Sequence, residues 1–164
     1  MVEERQFISE IAQMKDMLYR LSVSYLKADA DAQDAVQQAL EKAWKHRDRV
    51  NAQAFRPWLT RIVINECKTQ LRRAKRVQPS DQLEAYAGTT PPPDIALSDA
   101  LSRLPDKLRT PLLLHYMEGF SVEEVARSLR VPATTVRSRL YRARNALRDQ
   151  LTDGEEGKAC ARMR

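Results

Sequence analysis

Glycine, cysteine and histidine are scarce in this chain: four, two and two among 164 residues. Gly88, Gly119, Gly154 and Gly157 stand in no phosphate-loop or dinucleotide-binding spacing, which argues against a nucleotide-using enzyme. Cys67 and Cys160 do not make a disulfide framework. Joined by only His46 and His115, they do not make a Cys/His zinc site either. No stretch approaches the roughly 18 consecutive apolar residues that a membrane helix needs. The first residues include Glu3, Glu4 and Arg5 and hold no apolar signal core. A soluble, cytoplasmic chain without membrane insertion is the expectation. No nucleophile–base set and no metal cluster is visible, so no catalytic residue, metal site or cofactor is expected, and the chain does not read as an enzyme.

What the chain has is charge, unevenly spread. Lys plus Arg is 28 and Asp plus Glu is 22, a net of +6. Residues 51–78 hold seven basic residues and one acid. Residues 79–99 hold four acids and no base, and residues 100–151 hold ten bases and five acids. Two basic blocks separated by an acidic one suit two contacts with a polyanion better than one diffuse field.

Hydrophobic spacing predicts helices throughout and no strand. Phe7, Ile11, Met14, Leu18, Leu21 and Tyr25 recur at steps of three and four over residues 7–26. A second helix is predicted to run to about Lys45, with Asp31 and Asp34 near its start as a cap. It is lined by Ala32, Ala35, Val36, Ala39, Leu40, Ala43 and Trp44, and Trp44 reads as core. HRDRVNAQAF reads as a loop, and Pro57 fits the first turn of a third helix. The stretch after it, with Pro79 and Pro91, Pro92 and Pro93, fits neither a helix interior nor a central strand. It predicts an extended linker, with some local helix near Leu83–Tyr86. The predicted organisation is all-α: two small helical domains, 1–76 and 99–151, joined by a proline-rich flexible linker, 77–98, and followed by a flexible tail, 152–164. Cys160 falls in that tail.

The second domain carries the sharpest pattern. Pro105 starts a helix that Gly119 ends; Ser121 and Glu124 make a capping-box pair before a short helix. Val131 and Pro132 mark a tight break, and a longer helix follows to Leu151, lined by Val136, Leu140, Ala143 and Leu147. This is a helix-turn-helix. From Val131 to Arg148 there is no acid, while Arg137, Arg139, Arg142, Arg144 and Arg148 all lie there. The start of such a helix offers Ala133, Thr134, Thr135, Arg137 and Ser138 to base edges or nearby phosphates. Arg142, Arg144 and Arg148 are placed for backbone phosphate. A merely solvated arginine face is the competing reading, but capping, turn, apolar line and acid-free face coincide here.

The first domain is less legible. Phe55 and Trp58 interleave with Arg56, Arg61, Lys68, Arg72 and Arg73, a mixture that suits single-strand binding. Equally, the two aromatics sit at core spacing. Asp31, Asp34 and Glu41 resemble metal carboxylates but read better as cap and surface groups.

Three blocks then resemble one family: DAQDAVQQALEKAW at 31–44, FRPWLTRIVINECKTQLRR at 55–73 and LSRLPDKLRTPLLLHYMEGFSVEEVARSLRVPATTVRSRLYRARNAL at 101–147. In this order, and with a linker between the second and third, they are similar to the extracytoplasmic-function sigma factors of bacterial RNA polymerase, the small two-domain class of the sigma-70 family. The resemblance implies a sigma region 2 that binds the core polymerase clamp, reads the −10 element and melts the promoter. It also implies a region 4 that reads the −35 element. It assigns polymerase binding to Asp31, Asp34, Val36, Gln37, Gln38, Leu40 and Glu41. It assigns capture of a flipped base to the loop from about Arg47 to Ala54. It assigns −10 reading and melting to Arg56, Arg61, Asn65, Lys68, Thr69, Arg72 and Arg73, which strengthens the single-strand reading there. The −35 residues are Ala133, Thr134, Thr135, Arg137, Ser138 and Arg142. Gln38, where the family commonly has Glu, Leu40, often aromatic, and Thr134, commonly Gly, bear on clamp affinity and promoter choice. Core RNA polymerase, promoter DNA and an anti-sigma factor are the implied partners, and no homo-oligomer is expected. The rival reading is a helix-turn-helix regulator that binds an operator as a dimer; it has no need of the 31–73 blocks. A protein-binding adapter would leave Arg137 to Arg148 without a task.

Overall fold

The computed structural model describes residues 2–77 and 95–162. Among these residues there are seven α-helices and no strand, and the chain divides into two compact units. The linker residues 78–94, including the helix predicted near Leu83, lie outside the described residues.

The first unit is built on three helices: α1 (Glu4–Leu26), α2 (Asp29–Lys45) and α3 (Ala52–Val77). Large side chains on α1 and α3 supply its core. Phe7, Met14, Met17, Leu18, Leu21 and Tyr25 come from α1; Phe55, Leu59, Val63, Ile64 and Cys67 come from α3. Against them α2 buries only alanines, Ala32, Ala35, Ala39 and Ala43, all fully enclosed. Small side chains let neighbouring backbones approach closely, so α2 packs on both other helices.

Helix boundaries differ from the sequence pattern at three places in this unit. Lys27 adopts a left-handed conformation (φ 60°) and donates its N–H to the Val23 carbonyl at 2.8 Å, ending α1. The chain therefore restarts at Asp29, and Asp31 is not a cap: it lies with Asp29 in the first turn, where negative charge is favoured by the helix dipole. In the segment predicted as a loop, residues Arg47–Arg49 form a 3-10 turn and Asn51 caps α3, its Oδ1 accepting from the Ala54 N–H at 2.8 Å. Pro57 consequently sits inside α3 and is buried, not in its first turn.

The second unit is built on α4 (Ile95–Arg103), α5 (Asp106–Leu112), α6 (Val122–Leu129) and α7 (Ala133–Arg162). Helix α4 starts within the predicted linker, so residues 95–98 are helical. Leu104, Leu112, Leu114, Phe120, Val125, Val136, Leu140 and Ala143 form its core. The predicted single helix from Pro105 to Gly119 is not uniform: residues Leu113–Met117 widen into a π turn. Pro111 lies just upstream and has no N–H for the regular ladder; beyond it the Glu118 N–H bonds the Leu113 carbonyl, five residues back, at 3.2 Å. Gly119 stops the helix with φ +67°.

The capping box forms as its spacing implies. The Glu124 N–H donates to Ser121 Oγ at 3.1 Å and the Ser121 N–H donates to Glu124 Oε2 at 2.8 Å. The turn between α6 and α7 is made by Arg130 in a left-handed conformation (φ 53°), with the Val131 N–H returning to the Ala126 carbonyl at 3.1 Å. Helix α7 does not stop at Leu151; it continues to Arg162, so most of the predicted flexible tail is helical. Gly154 and Gly157 cost about 1 kcal/mol each against alanine, but Glu155, Glu156, Lys158 and Ala159 around them are good helix formers.

Ser121→Ala is expected to lower the unfolding free energy of this unit by about 1 kcal/mol. Urea unfolding of the full chain checks it; an unchanged midpoint would remove the cap from the account.

Candidate nucleic-acid interfaces

Along α7 each residue advances about 100° around the axis. Thr134, Arg137, Ser138, Tyr141 and Arg142 therefore share one side, opposite the buried Val136, Leu140 and Ala143, and all five are exposed. Ala133 and Thr135 are half-buried on the flanks. The structure thus brings together Thr134, Arg137, Ser138 and Arg142, with Ala133 and Thr135 beside them. Tyr141, 61% exposed, lies in the middle of the same strip.

The arginines of this strip are held, not loose. Arg142 Nη2 donates to Ser138 Oγ at 3.1 Å. Arg137 Nη2 lies 3.4 Å from Glu123 Oε1 of α6. Beside the strip, Arg144 Nη1 meets the Tyr116 hydroxyl at 3.1 Å. Beneath the strip, Arg109 is only 6% exposed: its Nη1 donates to the Leu104 carbonyl at 3.0 Å and its Nη2 pairs with Asp106. That guanidinium clasps the end of α4 to the start of α5. Nothing in the local periodicity marks it, because an arginine within an apolar run reads as surface.

On α3, Arg61, Asn65, Lys68, Thr69 and Arg72 fall within an arc of about 100°, with Arg73 at its edge. Asn65, Lys68, Arg72 and Arg73 are exposed; Arg61 and Thr69 are half-buried. Burial holds the Arg61 guanidinium below the usual arginine range. Arg56 is not part of this strip: it lies about 140° round the helix from Arg61 and is half-buried.

The aromatic question resolves residue by residue. Phe55 is fully buried and packs edge-on against Phe7, centroids 5.5 Å apart, so it is core. Trp58 is half-buried against Phe55. Trp44, read from the sequence as core, is 36% exposed. The alanines occupy the buried side of α2, which leaves the indole at the margin, edge-on to Phe7 and 4.0 Å beneath the Arg47 guanidinium.

The α2 residues Asp31, Asp34, Gln37 and Glu41 are exposed, and Val36, Gln38 and Leu40 half-buried. Asp34, Gln37 and Glu41 lie opposite the alanines, Asp31 and Gln38 on one flank and Leu40 on the other, while Val36 falls beside the alanines. Asp34 Oδ2 accepts from Gln38 at 2.8 Å and from Gln70 of α3 at 3.1 Å, tying the two helices. Among the described residues no group of three or more His, Cys, Asp or Glu side chains is placed to hold a metal, so the three carboxylates do not form such a site. A second tie is unforeseen. Glu66 of α3, its side chain 3% exposed, pairs with Lys42 of α2, and Glu66 Oε1 has no hydrogen-bond partner. Next to it, burial pushes the Cys67 thiol up, which keeps it protonated and inert. No described helix is long and apolar enough to cross a membrane.

Two family models match the chain: sigma-70 region 2 over residues 11–77 and sigma-70, region 4, over residues 94–147. RNA polymerase sigma factor SigV of Bacillus subtilis is 31% identical over 147 residues, covering 87% of this chain and 89% of that protein. ECF RNA polymerase sigma factor SigW of the same organism is 32% identical over 159 residues, covering 85% of each. Among solved structures, the sigma factor RpoE of Bartonella quintana, crystallised with the anti-sigma factor NepR, superposes with a TM-score of 0.74 at 30% identity. That match covers 90% of this chain and 98% of the other.

Lys42→Met leaves the enclosed Glu66 carboxylate without its cation and is expected to destabilise the first unit by about 1–3 kcal/mol. The double variant Lys42→Met/Glu66→Leu is expected to recover most of that loss in the same denaturation experiment. Equal loss in both variants would show that the stranded Glu66 charge is not the cause.

Proposed function

Since this chain belongs to the extracytoplasmic-function sigma factors of the sigma-70 family, we propose a division of its surfaces among the partners of transcription initiation. The chain binds core RNA polymerase and directs promoter-specific initiation. Within that role, α2 meets the polymerase clamp through Asp31, Asp34, Gln37, Gln38 and Glu41, with the half-buried Val36 and Leu40 at the edge of that contact. The α3 strip of Arg61, Asn65, Lys68, Thr69, Arg72 and Arg73 reads the −10 element and holds the separated strand. Arg56, off that strip, supports it from the helix start. The α7 strip of Ala133, Thr134, Thr135, Arg137, Ser138 and Arg142 reads the −35 element as duplex.

The observation that carries this reading is the pairing of two basic helical strips on separate units. A polyanion attracts cations, and an acid-free strip meets it without like-charge cost. The α7 strip suits groove edges, where arginine pairs bidentately with guanine. The α3 strip mixes amide, hydroxyl and cationic groups, which suits backbone and extruded bases. Binding both elements through one chain raises the effective concentration of the second contact once the first is made.

The regions divide as α1 to α3 for polymerase and −10 contacts and α4 to α7 for −35 contacts, with residues 78–94 joining them. The function is positioning and strand separation in the cytoplasm, without covalent catalysis. A protein anti-sigma factor holds the chain inactive; the RpoE relative, crystallised in complex with the anti-sigma factor NepR, supports such a partner. A dimeric operator-binding regulator is not favoured, because residues 11–77 match region 2, which such a regulator does not need.

Reconstitution with core RNA polymerase on a randomised promoter library tests this. Start sites that depend on the chain and share two spaced elements are expected. Arg137→Ala should weaken discrimination at one distal base pair by about 1–3 kcal/mol, read as promoter preference. Absence of chain-dependent initiation would overturn the reading.

A further inference from the structure

Tyr116 sits on the π turn of the second unit, 51% exposed, yet it is held from both sides. Its ring packs edge-on against His115, centroids 4.9 Å apart. His115 is itself pinned: its Nδ1 lies 2.7 Å from the Phe120 carbonyl and donates to it, since a carbonyl only accepts. At the far end of the ring, the Tyr116 hydroxyl oxygen accepts from Arg144 Nη1 at 3.1 Å. Arg137, Arg144 and Arg148 fall within about 40° of one another around α7, so Tyr116 meets the same edge of the helix that Arg137 occupies near the tip. The partners along that edge differ in charge. Arg137 faces Glu123 and Arg148 faces Asp149, whereas Arg144 bonds a neutral hydroxyl, and that bond leaves its charge uncompensated.

We propose that Tyr116 and Arg144 together form a site for one phosphodiester of the promoter backbone, beside the distal element. The proposal rests on the reading of α7 as the −35 reader. Occupation does not break the bond between the two residues. A guanidinium has five N–H donors, and the tyrosine bond uses one. The phenol oxygen accepts from Arg144 while its own O–H turns outward. One phosphate can therefore take a charged N–H and a neutral O–H at once. The hydroxyl also holds the long arginine side chain in place before the duplex arrives, which reduces the ordering cost of the contact. A phosphate contact carries no base information; it fixes register. Arg144 lies about 10 Å along α7 from Arg137, so a phosphate gripped there sets how far the tip advances into the groove.

The test uses full-length chain with core RNA polymerase and two duplexes: the sequence that the wild-type holoenzyme selects from a randomised library, and the same duplex with its distal element scrambled. Tyr116→Phe keeps the ring on His115 and removes only the hydroxyl. It is expected to weaken binding to both duplexes by the same factor, about three-fold, so the selected-to-scrambled ratio holds. Arg144→Gln should also weaken both, and should lower the salt dependence by about one phosphate contact; Tyr116→Phe should leave that dependence unchanged. Uncharged methylphosphonate linkages, placed one at a time through the distal element of the selected duplex, then locate the phosphate. At one position both variants are expected to bind no worse than the wild-type chain does on that same duplex. Unchanged or tighter binding by Tyr116→Phe, or losses that persist at every methylphosphonate position, overturns the proposal. The two readings fail separately. If Arg137→Ala leaves the selected-to-scrambled ratio intact, the assignment of α7 falls; if Arg137→Ala collapses the ratio and Tyr116→Phe binds both duplexes like the wild type, only the role of Tyr116 falls.

Discussion

Ala32, Ala35, Ala39 and Ala43 give α2 almost no side-chain bulk on the side it buries, and that sets how near α1 and α3 approach it. Small residues contribute little apolar area each, so the first unit relies on the larger groups of its neighbours to fill the core. Close packing leaves little room between the helices, and polar side chains at the margin come within bonding reach. Asp34 reaches Gln70, and Lys42 reaches the enclosed Glu66. The side of α2 that faces solvent and the basic strip of α3 are thereby fixed to one another. Contacts to polymerase and to melted promoter are, on the proposed reading, made from one rigid body.

The second unit solves a different problem. Five arginines between Val131 and Arg148 repel one another, and α7 stays docked because Val136, Leu140 and Ala143 are buried under α4 and α5. Arg109 adds a buried cation there, held by the Leu104 carbonyl and by Asp106 although its Nε has no hydrogen-bond partner. It stabilises the corner because it answers two partners at once; a guanidinium enclosed with neither would cost more than it gave.

Periodicity located the helices well, because each has a continuous apolar line that only one period explains. The boundaries were less legible. A left-handed lysine at 27 and a left-handed arginine at 130 break helices where no glycine warns of it. Asn51 caps α3 from inside a stretch that looks irregular. The π turn at Leu113–Met117 and the run of α7 past Gly154 depend on register and context, which residue type does not encode locally. The same division holds for the surfaces. The α7 strip was legible because opposite sides of one helix separate cleanly by charge. Arg56 was not, because proximity in sequence to other basic residues says nothing about which way it turns. Glu66 and Arg109 were invisible, since a charged residue in sequence reads as exposed until its partner is known.

The uninterrupted length of α7 has its own consequence. At about 1.5 Å per residue, its 30 residues extend roughly 45 Å, well beyond what one groove crossing uses. Its charge is not uniform along that length: arginines fill the stretch to Arg148, then Asp149, Asp153, Glu155 and Glu156 follow with no base among them. The helix is a polarised rod. On the proposed reading, a duplex attracts the first half of this rod and is repelled by the acidic stretch that follows, which favours entry by the tip.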